Sequence, residues 1–286
     1  MQAMRPRTVR WGDRAWRFAG LLCALALGTA AGGAAQAAGP SAKGTDPQPS
    51  ALRAGFAPVY PPLAFKADGT LQGLEADFAQ ALQKELQRPV TLVELGWDDL
   101  IPALVDGRID VIMSGMSITT EREKSVAFVY PYMATGQMAL IRAADYSRLR
   151  DQSLMNDPGT RVGFQSNTTG ERYARSELPK AQLTGFASLD VGVAALRKGD
   201  IDYFLYDAPA VWRIRGQDKA KYEDLKGLFR PLTEEQLAWA VRKDDTKLRQ
   251  RLGNIVKRWR LNGFLESLLD RWMPVRKLTI DPPGAS

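Results

Sequence analysis

The residues best suited to hold a small anion lie in one stretch, Ile112 to Glu123, with the sequence IMSGMSITTERE. The apolar run before and into it, Ile109 to Met113, reads as a buried strand that stops at Ser114-Gly115. Thr120 with Glu123 three residues on gives the capping-box start of a helix, and Arg122 sits just inside it. Free main-chain N–H groups, the hydroxyls of Ser114, Ser117, Thr119 and Thr120, and a guanidinium at a strand's C-terminal end suit a carboxylate. Taken alone, the same residues also describe an ordinary strand–loop–helix join with a solvated arginine, and such hydroxyl-rich joins are common.

A second polar strand end lies further along, where the apolar run Ile201 to Tyr206 finishes at Asp207. The two ends are linked by an internal repeat. Ala103 to Asp110 and Ala195 to Asp202 both read A-L-x-x-G-x-I-D, a helix end, a glycine turn and a strand start. The order of elements recurs around both copies, so the chain reads as two related lobes. Ligands of open α/β sheets bind beyond the C-terminal ends of the strands. Two lobes meeting across a cleft would therefore set the Ser114-Gly115 loop against Asp207.

Composition removes several chemistries. The chain has no histidine, which excludes Ser-His-Asp and Cys-His catalysis and the usual zinc sites. No cofactor or metal is expected. The one cysteine, Cys23, lies in an N-terminal segment with five arginines, a short apolar run (Phe18 to Leu27) and an Ala35-Gln36-Ala37 site. That is the pattern of a secretory signal peptide cut after Ala37. Leu22 stands where a lipoprotein cysteine would be preceded by a small residue. Without residues 1–37 the formal charge falls from +7 to +3, as 34 basic residues face 31 acidic ones, which gives no support to a nucleic-acid partner. No later apolar segment is long enough to span a bilayer, so a soluble, exported periplasmic protein is expected; it is also expected to be a monomer.

The elements that would position these groups follow from periodicity. Ala38 to Ser50 is a Pro/Gly/Ser-rich leader. Strands are expected at 52–56, 89–95, 109–113, 136–142, 161–164, 183–186, 201–206 and 237–241. Helices are expected at 74–86, 98–105, 170–176, 189–198, 245–262 and 264–272. Strands alternating with helices argue for an α/β fold.

Five motifs in order resemble the extracytoplasmic solute-binding proteins of family 3, the amino-acid receptors of ABC importers. They are Tyr60-Pro61-Pro62 with Gly73-Leu74-Glu75-Ala76-Asp77; Trp97-Asp98-Asp99-Leu100-Ile101-Pro102-Ala103-Leu104; Ser114 to Thr119 through Arg122; Val162-Gly163-Phe164-Gln165 with Thr168-Thr169-Gly170; and Ile201-Asp202 through Asp207. The resemblance covers Leu52 to about Pro274. It implies a two-lobed periplasmic-binding-protein fold, type II-like, each lobe a mixed sheet flanked by helices, with a hinge cleft between them. Lobe 1 would take residues 51–142 and a return through 233–275, lobe 2 residues 143–232, and a tail 276–286.

The resemblance also implies a site. Arg122 would hold a ligand α-carboxylate, with donors from the backbone at Ser114 and Gly115 and from the hydroxyl and N–H of Ser117. Thr168 and Thr169, at a helix N-terminus of the second lobe, would close on the same carboxylate. Asp207 would take the α-ammonium, and Tyr60 and Trp97 would form aromatic walls. Glu75 and Asp110 read as structural.

Three positions depart from the family pattern. Asn167 replaces a glycine before the two threonines. Ala57 stands where relatives selecting basic amino acids carry an aspartate, which argues against lysine or arginine. Thr233 to Gln236 lacks the usual glycine-rich or aromatic approach to the return strand. The function implied is capture of a small zwitterion for an inner-membrane ABC permease. The alternative is an exported cyclohexadienyl dehydratase on the same scaffold, with Glu234 or Glu235 near the cleft. The sensor lobe of a larger signalling protein is disfavoured, as the chain ends soon after Pro274 with no membrane helix.

Overall fold

The computed structural model describes residues 50–274 except 216, 217 and 219. The expected signal peptide with Cys23, nearly all of the leader, and the tail lie outside the described residues. No described helix is long and apolar enough to cross a membrane.

Two five-stranded sheets share one plan. In the first, Leu52–Phe56 lies between Val90–Glu94 and Val111–Ile112, all three parallel. Ala240–Val241 then pairs antiparallel with Val111–Ile112 on one side and with Ala127–Phe128 on the other. In the second, Arg161–Gln165 lies between Gln182–Phe186 and Tyr203–Asp207, again parallel. Gln137–Arg142 pairs antiparallel with Tyr203–Asp207 and with Leu225–Leu228.

The A-L-x-x-G-x-I-D repeat has a shared structural purpose. Asp110 accepts from the main-chain N–H, Nε and Nη2 of Arg53 on the opening strand of the first sheet. Asp202 accepts from the same three groups of Arg161 on the equivalent strand of the second. In each lobe the aspartate bolts the first strand to the third, so both repeat aspartates are framework residues. Ion pairing with the arginine outweighs the cost of burial and holds both carboxyls below the ordinary aspartate range.

The structure moves one boundary. Residues 137–142, expected in the first lobe, form the antiparallel strand of the second sheet, so the first crossover falls at 135–137 rather than near 142. An almost continuously buried apolar strand carries no mark of which sheet it joins. The expected strand 237–241 is split. Glu235–Leu237 pairs with Met133–Thr135, so the two crossover segments form a ribbon of their own between the sheets. A Cβ on Gly136 would stand 2.0 Å from the carbonyl oxygen of Thr233, so only glycine lets these segments pass so closely.

The first lobe is anchored by an aromatic cluster. Phe78, on the helix Leu74–Leu86, stacks on Trp259 and meets Tyr132 and Trp239 edge-on. Glu75, one turn earlier and fully buried, accepts from Tyr132 Oη (2.6 Å) and Trp239 Nε1 (2.8 Å). Burial pushes its carboxyl up, and these bonds oppose the shift. Its third bond, from the Gly115 N–H at 2.8 Å, ties the core to the cleft loop.

Candidate functional site

Between the sheets lies a cleft lined by Val59, Tyr60, Trp97, Gly115, Ser117 and Arg122 from the first-sheet side, and by Gln165, Thr168, Thr169, Tyr206 and Asp207 from the second. It encloses about 360 Å³ of non-protein space, part of it open to solvent. Eight of the nine residues singled out by sequence line it. Ser114 does not. Its hydroxyl accepts from the Ala57 N–H and donates back to the Ala57 carbonyl, which fastens two loops behind the cleft.

The loop is shaped by its partners. Gly115 adopts φ +67°, and a Cβ there would lie 2.8 Å from the Tyr60 ring. Its N–H is given to Glu75, so it is not the free donor expected for a ligand. The short helix Thr120–Glu123 is capped by Thr119, one residue before the expected cap, whose Oγ1 accepts from the Arg122 N–H at 3.2 Å. This cap points the Arg122 side chain along the loop. Nη1 donates to the Ser117 carbonyl at 2.9 Å, and the guanidinium stacks over Trp97 at 5.2 Å. Burial lowers its pKa, while Asp207 and Glu235 pull it back up.

On the other side, Thr169 opens the helix Thr169–Glu177, and Thr168 gives its hydroxyl proton to the Gln165 carbonyl. Gln137 Nε2 donates both to Thr169 Oγ1 (2.9 Å) and to Asp207 Oδ1 (2.8 Å), fixing the two relative to each other. Asp207 is raised to about 7, first by burial and then by the Glu235 carboxylate, against opposition from Gln137 and Arg122. Tyr60 meets Tyr206 edge-on across the cleft at 6.1 Å, and its buried hydroxyl has no hydrogen-bond partner among the described residues. That leaves an unpaired polar atom on the cleft wall, where a ligand could satisfy it.

Closure is held by polar bonds from both lobes. Asn167 sits at φ 59°, the left-handed conformation that its family glycine would supply. Its carbonyl accepts from Trp97 Nε1 (3.2 Å), and its side-chain amide donates to Asp98 (3.0 Å). Three contributors lay beyond motif reasoning: Gln137, Tyr206 and the positioned Glu235. Glutamine in an apolar strand carries no positional signal, and Tyr206 was visible only as the neighbour of Asp207.

The fold and the site define a two-lobed protein with a cleft between its lobes, to which one lobe brings a guanidinium and the other a carboxylate. The chain belongs to the bacterial extracellular solute-binding proteins, family 3, whose family model matches residues 52–275. It is 28% identical over 227 residues to ABC transporter arginine-binding protein 1 of Escherichia coli (strain K12), covering 77% of this chain and 89% of that protein. Among solved structures it is similar to an ancestral amino acid-binding protein, a precursor of cyclohexadienyl dehydratase, at 32% identity and TM-score 0.70, with 78% and 95% of the two chains covered. It is also similar to a putative ABC transporter binding component from Wolinella succinogenes complexed with lysine, at 28% identity and TM-score 0.74, covering 82% and 100%.

Proposed function

We propose that this protein is an exported amino-acid receptor that closes on its ligand in the periplasm and presents it to an ABC permease. The observation that carries the reading is the placement of a guanidinium and a carboxylate from different lobes on one small cleft. Arg122, held by its stack on Trp97, faces the ligand carboxylate, and the N-terminus of the Thr169–Glu177 helix adds its dipole from the second lobe. Asp207 faces the ammonium. Tyr60, Trp97 and Tyr206 form the apolar walls, so binding requires both lobes and drives hinge closure. Relatives whose names include arginine-, histidine- and cystine-binding proteins support this reading.

A thermal-shift screen of the protein lacking residues 1–37, against the twenty amino acids and prephenate, tests it. A tight ligand raises the melting temperature with the logarithm of its concentration over its dissociation constant. At least one amino acid should stabilise the protein and be recovered unchanged. No shift with any amino acid overturns the receptor reading. Conversion of prephenate would favour the dehydratase, for which a cleft carboxyl near neutrality could serve as an acid.

A further inference from the structure

Behind the cleft, one carboxylate gathers hydroxyls from three parts of the chain. Glu235, on the crossover strand Glu235–Leu237, is only 8% exposed. Its Oε2 accepts from Ser117 Oγ of the first lobe at 2.5 Å and from Thr169 Oγ1 of the second at 2.9 Å. Its Oε1 accepts from Thr233 Oγ1 at 2.6 Å, and Thr233 in turn accepts from the Gln137 N–H. All three donors are neutral hydroxyls, so none of them offsets the charge of Glu235. The guanidinium that feels it is Arg122, which also faces Asp207.

The local charge balance follows. Arg122 brings one positive charge, while Asp207 and Glu235 bring two negative charges once both are ionised. Tyr60 and Tyr206 stay neutral, because burial pushes both hydroxyls well above their ordinary range. Arg172, one turn along the helix from Thr168, is exposed; its charge still reaches Arg122 and opposes that guanidinium, but solvent screens it more than the buried pair Asp207 and Glu235. An amino acid with a neutral side chain adds one charge of each sign and leaves the excess carboxylate uncompensated. An amino acid of net charge +1 neutralises it, and an acidic one deepens it.

We propose that Glu235 is a specificity-determining residue: with Asp207 it sets two carboxylates against Arg122, so that the closed cleft prefers amino acids of net positive charge. It acts through the field rather than by touching the ligand, because Glu235 does not line the cleft while the two hydroxyl residues bonded to it, Ser117 and Thr169, do. The inference rests on the amino-acid-receptor reading. It also relocates the acidic group whose absence at Ala57 argued against a basic ligand. Ala57 is buried behind the cleft, and the extra carboxylate comes from the crossover strand instead.

The test is calorimetry at pH 8.5 with L-arginine and its neutral near-isostere L-citrulline, using the wild-type protein, Glu235→Gln and Glu235→Asp. The wild type should bind arginine about tenfold or more tighter than citrulline, the scale of one unit charge acting through a partly screened protein medium. Glu235→Gln keeps an acceptor but removes the charge, so the arginine/citrulline ratio should fall by about the same factor, with arginine losing most. Glu235→Asp should keep the ratio even where absolute affinity drops. Equal losses of both ligands in Glu235→Gln, or an unchanged ratio, would reduce Glu235 to a structural strut and overturn the proposal. A wild type that binds citrulline as tightly as arginine overturns it as well, without need of any variant. Binding of neither ligand, nor of any amino acid in the thermal screen, is a failure of the receptor reading itself.

Discussion

If Asp207 takes the ligand ammonium, affinity must fall in acid, and the fall can be worked out. The Asp207 carboxyl is raised to about 7 by its burial and by Glu235, so in the ligand-free protein it is largely protonated at pH 5.5 and largely ionised at pH 8. The ammonium needs the ionised form. The ionised fraction drops from about 0.9 to about 0.03 between those values, which corresponds to roughly a 30-fold weaker apparent affinity, or about 2 kcal/mol. The assay is calorimetry from pH 5.5 to 8.5 with a stabilising amino acid whose own groups do not titrate in that window. Proton release on binding near pH 7 should accompany the affinity change. Asp207→Asn should bind more weakly and show no slope. The sign for stability is opposite. An acid whose folded pKa is raised binds more protons folded than unfolded, so its contribution is present below about pH 4 and lost as pH rises through about 7. Asp207→Asn should therefore raise the melting temperature of the ligand-free protein at pH 8. Flat affinity across the range, or a slope that persists in Asp207→Asn, would refute the assignment.

Arg122→Ala should weaken amino-acid binding by about 100-fold or more, the scale of losing a charge-assisted bidentate contact, while far-ultraviolet circular dichroism stays that of the wild type. Glu75→Ala strands the Gly115 N–H, Tyr132 Oη and Trp239 Nε1 in the core. It should cost about 3–5 kcal/mol in urea unfolding, and a loss below about 1 kcal/mol would contradict its bolting role. Asn167→Gly keeps the left-handed turn but removes the side-chain bond to Asp98. Stopped-flow release of the ligand should speed up by about two- to fivefold, since an exposed bond of this kind contributes about 0.5–1 kcal/mol. An unchanged rate would show that this bond does not hold the cleft shut.

Much of the frame was legible because its signals are local. The helices Leu74–Leu86, Leu189–Lys198 and Phe264–Trp272 fall where the sequence pattern puts them, and Gly199 ends the second of them. The repeat announced two lobes because a glycine turn and a strand-starting aspartate are needed twice, once for each Arg–Asp bolt. What stayed hidden depends on partners distant in sequence. Nothing local tells that residues 137–142 cross to the second sheet, or that Glu235 meets Ser117 from 118 positions away. The site loop was visible as a donor-rich stretch, but not the allotment of its donors. Gly115 serves Glu75, Ser114 serves Ala57, and Ser117 and Thr169 serve Glu235.

The strand exchange has a consequence for the order of assembly. The five strands of the second sheet run from residue 137 to 228 without interruption, so that lobe has all its strands as soon as this segment is available. The first sheet begins at Leu52, yet the slot between Val111–Ile112 and Ala127–Phe128 is filled only by Ala240–Val241. Trp239 and Trp259, which complete its aromatic cluster, come equally late. A chain delivered from its N-terminus therefore starts the first lobe early but finishes it last. During that interval the lobe carries an open sheet edge, the kind of surface on which chaperones and wrong strands compete.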